Sequence, residues 1–154
     1  MGWLTRRKAP RRASFPIGVY RLDSPVEGLA GLVEFTPTEY AQLAHRYEGE
    51  KNYNAPPVLF LGHSWRAMLQ TAYDQICKIT LYMEVPEKPE AYAIATETLH
   101  FCTGHLGKPA DRKAGLVVWD TTNGNVVLQT GETEKGLSIG LFLTSRSVRS
   151  YKKP

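Results

Sequence analysis

Apolar residues along the chain recur in two periods. Over residues 76–83, Cys77, Ile79, Leu81 and Met83 alternate with Ile76, Lys78, Thr80 and Tyr82, the two-residue period of a β-strand. The same period runs through Leu137, Ile139, Leu141 and Leu143. Shorter apolar runs at 15–22 (FPIGVYRL), 31–35, 58–61, 116–119 and 126–129 read as further strands. Residues 65–72 are read as a strand because Tyr73-Asp74-Gln75 then closes a hairpin with the strand that follows.

The helical period is present twice. Thr36-Pro37-Thr38-Glu39 joins a capping threonine, a proline at the first helical position and a glutamate three residues after the cap. Tyr40, Leu43, Ala44 and Tyr47 follow at helical spacing, so a helix is predicted over 37–47. A longer one is predicted over about 89–106, where Ala91, Ile94, Ala95, Leu99, Cys102 and Leu106 share a stripe. Glu87 and Glu90 suit the positive end of its dipole, and Gly107 and Pro109 end it. Residues 48–57 (EGEKNYNAPP) and 131–136 (GETEKG) are polar and read as a loop and a turn. Asn123-Gly124 marks a hairpin within 120–124.

The order β-β-α-β-β-β-α-β-β-β shows no internal repeat. It predicts one α+β domain of two layers, a mainly antiparallel sheet with two helices on one face. A chain of 154 residues, 42% of them apolar, is enough for one core of that kind. The expected boundaries are a flexible basic arm at 1–14, the domain at 15–145 and a basic tail at 146–154.

Charge adds one feature that the net value of +4 conceals. Residues 1–14 hold five basic side chains and no acid, and residues 145–154 hold four and no acid. Ten basic and fifteen acidic residues remain for the body, which is therefore acidic. Nucleic acid is not expected as a partner beyond non-specific, salt-sensitive contacts of the tails. No apolar run is long enough for a membrane span. The N-terminus lacks a secretory pattern, and Arg6 stands where a myristoylation motif wants Ser or Thr. A cytoplasmic location without membrane contact is the expectation.

Candidate chemistry is sparse. Cys77 and Cys102 form no C-x-x-C and read as buried, reduced thiols. His100 and His105 stand five apart, which puts them on different helix faces rather than at chelating spacing. No metal and no cofactor is expected. Glu34 sits among apolar neighbours, and His63, Ser64 and Asp74 supply the residue types of a nucleophilic triad without its motif. Glu34, His63 and Asp74 are thus the catalytic candidates, with Trp119 beside them in any site assembled only in three dimensions. Three tryptophans and eight tyrosines point instead to partner binding, because such residues anchor interfaces. Tyr47, Tyr53, Trp65 and Trp119 are the candidates for that role.

The stretches KITLYME, LGKP, VVWDTTNGNVVLQ and SIGLFLTS, within residues 76–145 in the second half of the chain, resemble small bacterial α+β proteins. Among these are immunity-type proteins that neutralise a cognate toxin. The shared features are structural, so no functional residue transfers. The resemblance implies a non-enzymatic domain that binds another protein through a sheet face or an edge strand, and the acidic body would suit a basic partner. An enzyme or small-ligand-binding domain and an oligomeric structural subunit are the other two expectations. The oligomeric state is left open.

Overall fold

Two four-stranded meanders, joined by one helix, form the sheet in a computed structural model that describes residues 17–36 and 49–147. The first meander is β1 (Val33–Phe35), β2 (Glu50–Phe60), β3 (His63–Ala72) and β4 (Gln75–Val85). The second is β5 (Asp111–Lys113), β6 (Leu116–Thr121), β7 (Gly124–Thr133) and β8 (Gly136–Ser145). The two meet where β4 pairs with β8, so the antiparallel order is β1-β2-β3-β4-β8-β7-β6-β5. The helix α1 (Lys88–Leu106) packs against β4, β6, β7 and β8.

The alternation along 76–83 and 137–143 explains the central pairing. Ile79 faces Leu143, Leu81 faces Leu141 and Met83 faces Ile139 across β4 and β8. Opposed residues share a face, so these pairs form one apolar surface under the helix. Ala91, Ile94, Thr98, Cys102 and Leu106 of α1 are buried against it. The Thr98 hydroxyl donates to the Ile94 carbonyl at 2.8 Å, which satisfies the one polar group on that stripe. Gly107 ends the helix at φ 87°, a left-handed conformation that a side chain would oppose.

The described residues therefore form mostly sheet with a single helix, and the predicted α+β layout with two helices is overturned. The helix predicted over 37–47 lies outside the described residues. Most of the predicted loop at 48–57 is instead the start of β2. This polar stretch needs no apolar run, because its ladder partners, β3 along its length and β1 at Asn52–Asn54, hold it extended. Pro56 and Pro57 fall at a bulge between Ala55 and Val58, where no ladder N–H is required. The strand predicted at 15–22 is not formed by its described residues, 17–22, which are turn and irregular backbone. Ile17 and Tyr20 are nonetheless buried, so the apolar pattern there marks a lid rather than a strand.

That lid is tied down at several points. Asp23 N–H donates to Ile76, Ile76 N–H to Ser24 and Val26 N–H to Asp74, at 2.8, 2.8 and 2.9 Å. The Asp23 carboxylate accepts from the hydroxyls of Ser145 and Ser147 at 2.5 and 2.9 Å, which joins the lid to the end of β8. Arg146, the first residue of the expected tail, donates to the Thr121 carbonyl at 2.7 Å and is held by the β6–β7 turn. The Asn-Gly hairpin is present as a turn at Thr122-Asn123, and a Cβ at Gly124 would stand 1.9 Å from the Thr144 carbonyl oxygen.

Candidate functional site

The face of the sheet turned away from α1 is not the polar surface that an antiparallel sheet usually presents to water. Met68, Thr80, Phe142, Val127 and Val118 face one another in an unbroken row from β3 to β6. Val33 of β1 continues the row through Asn54. Val33 and Met68 are 64% and 38% exposed, and Leu59 on the same face is 78% exposed. Three large apolar side chains on one sheet face is an unusual surface to leave in water.

Local chemistry sets the shape of this face. Gly140 has no side chain, and the Phe142 ring lies across the gap: a Cβ at Gly140 would be 2.7 Å from the ring. Lys78 extends over the same ring, with Nζ 5.4 Å from its centre. Burial lowers the pKa of Lys78, because the ammonium loses water. Neither Lys78 nor Arg66, which pairs with Tyr82 four residues further along β4 on the same face, makes an ion pair with another described residue. At one end of the face a hollow of about 570 Å³ opens beside the β2 bulge, lined by Ser64, Arg66, Tyr82 and Glu84 among others.

The catalytic candidates are not brought together. His63 starts β3 and Asp74 follows its end, so roughly 30 Å of strand separates them at about 3.3 Å per residue. His63 Nε2 lies 3.6 Å from Glu97 of α1, and Asp74 lies 3.6 Å from Lys51 in an exposed pair. Ser64 points to the face opposite His63, as strand alternation requires. Glu34 is exposed on β1 and pairs across the ladder with Tyr53. Among the described residues no three His, Cys, Asp or Glu side chains gather as a metal site. His105 instead stacks on Phe101 at 4.2 Å and donates through Nδ1 to its carbonyl.

The partner-binding candidates also change. Trp65 and Trp119 are 0% exposed and belong to the core, so neither presents a surface to a partner. Tyr53 is half-buried against the same core, and Tyr47 lies outside the described residues. Cys77 and Cys102 are both free and buried, and burial pushes each thiol up to about 12. No described helix is long and apolar enough to cross a membrane. The residues that sequence reasoning missed are Met68, Arg66 and Phe142. For Phe142 the signal was available in SIGLFLTS, where it alternates with Leu141 and Leu143 and so is a large apolar residue on the other face.

Set against known proteins, the chain matches no family model, no curated protein and no solved structure.

Proposed function

We propose that the chain is a non-enzymatic binding domain whose open sheet face docks a partner protein. The observation that carries this reading is the apolar row from Met68 to Val118, flanked by Arg66 and Lys78 without acidic partners among the described residues. The surface fits a partner with an apolar ridge bordered by carboxylates, because an apolar centre with a charged rim is the usual anatomy of an interface. This places the complementary charge on the partner as negative at this face, although the body as a whole is acidic. In its narrower form the proposal takes the partner to be a toxin that the chain neutralises, as the likeness of residues 76–145 to immunity-type proteins implies.

Edge-strand addition is less well supported. The outer strands β1 and β5 have three residues each, which leaves little ladder for a partner to extend.

The test is affinity capture from source-cell lysate with the full chain and with an Arg66→Glu/Lys78→Glu variant, read by native mass spectrometry. The expected result is a stoichiometric protein partner held by the wild-type chain at moderate salt and lost by the variant. A partner held equally by both, or a chain recovered with no protein partner, contradicts the reading.

A further inference from the structure

The two flanks of α1 are filled differently. Toward the first meander, Phe101 meets the edge of Phe60 at 5.1 Å and Glu97 meets His63. Toward the second, Tyr92 and Leu99 stop short of the β5–β6 hairpin, and a groove of about 410 Å³ remains. Val117 and Leu128 form an apolar floor there, and Arg112 of β5, opposite Val117 in the ladder, supplies a cationic rim. Such a volume lies within the roughly 300–1,000 Å³ of small-molecule sites.

The occupant can be narrowed by charge. Arg112 forms no ion pair with another described residue, whereas Lys113 lies on the other face of β5 beside Asp111, 3.9 Å away. Tyr92, 52% exposed, stands at the mouth as a flat apolar surface. The basic segments at 1–14 and 148–154 carry the same sign as the rim and are poor occupants.

We infer that this groove binds an amphipathic carboxylate, its hydrocarbon body on Val117, Leu128 and Leu99 and its carboxylate at Arg112. A guanidinium offers paired donors in a plane that matches a carboxylate. The site lies on the opposite side of the sheet from the proposed protein-binding face and does not depend on it.

The experiment is calorimetric titration of the full chain with decanoate below its micellar concentration, with decanol and decyltrimethylammonium as controls. One saturable site is expected for decanoate, with weaker binding of decanol and none of the cation. Arg112→Gln should weaken decanoate about tenfold or more, the worth of one charge-assisted hydrogen bond, and Tyr92→Ala should weaken all binding. Both residues are exposed, so neither change threatens the fold. Met68→Asp on the other face should leave decanoate binding unaltered. The inference is overturned by the absence of saturable decanoate binding, by equal affinity for decanoate and decanol, or by loss of binding in Met68→Asp. It is overturned equally if sedimentation shows a dimer that Arg112→Gln dissociates, since a second copy would then fill the groove.

Discussion

The two meanders are built alike and finished differently. Each buries one tryptophan completely. In the first, the Trp65 indole donates to the Phe60 carbonyl at 3.0 Å. In the second, the Trp119 indole N–H is buried with no partner among the described residues. The first meander is roofed by the lid at 17–32, with Ile17 and Tyr20 buried and Leu22, Val26, Leu29 and Leu32 packed against the core. The second is roofed by α1, which leaves a groove at β5–β6. The two tryptophans thus differ in their hydrogen bonding, although Thr71 of the first meander also buries a hydroxyl without a partner among the described residues, and the cleft under α1 lies beside the second meander.

Alkaline titration should produce the largest effect. Burial pushes the Cys77 thiol in β4 and the Cys102 thiol on α1 up from an ordinary 9.0 to about 12. Between those values the folded chain holds protons that the unfolded chain has released, so stability is full below pH 9 and falls as pH rises toward 12. Each thiol that must give up its proton lowers stability on the order of 1.4 kcal/mol per pKa unit, a marked fraction of the narrow margin of a small domain. Urea unfolding across that range should show the loss. Cys77→Ala should remove the share of the first meander and Cys102→Ala that of the helix, and a single transition throughout would show that the halves unfold together.

Trp65→Ala comes next, with a loss of about 3–5 kcal/mol for emptying a large core site. Asp23→Ala should cost about 1–3 kcal/mol, since the hydroxyls of Ser145 and Ser147 lose their shared acceptor and the lid loses its link to β8. The finer comparison is between Trp65→Phe and Trp119→Phe. Both reduce packing, but only the first orphans a buried carbonyl, whereas the second removes a donor that was never satisfied. Trp65→Phe should be the more destabilising by about 1–2 kcal/mol, measured by chemical denaturation. Equal losses would show that the two indoles stand in equivalent surroundings.

The parts of this fold that were legible in the sequence are those where burial imposes a period. β4 and β8 are central strands, and their alternation at Ile79, Leu81, Ile139 and Leu141 follows from one face lying under the helix. The stripe on α1 and the hairpin at Asn123-Gly124 were readable for the same kind of local reason. β2 was not, because Glu50–Asn54 is polar and gains its extended form from pairing with β3. β5 is three exposed charged residues, Asp111, Arg112 and Lys113, and has no apolar signal at all. At 15–22 the chain is apolar enough for a strand, yet Gly18 at φ 57° turns the backbone away from extension and the segment becomes a lid. The binding candidates suffered from the same ambiguity. An aromatic in a strand can face either way, and both Trp65 and Trp119 face the core while Phe142 faces out. Only the register across β3, β4 and β8 shows which row each one joins.

The smallest expected effect on stability belongs to the residue expected to matter most for function. Met68 is exposed and buries little of the core, so Met68→Asp should change unfolding stability by no more than about 0.5 kcal/mol. The same change puts a carboxylate at the β3 end of the row that the partner's own carboxylates would border. Measuring partner retention and urea stability together on this one variant is the most direct test of the account. It predicts an unchanged unfolding midpoint with the partner lost. Full retention of the partner by a Met68→Asp chain of unchanged stability would contradict the assignment of the open sheet face as the binding surface.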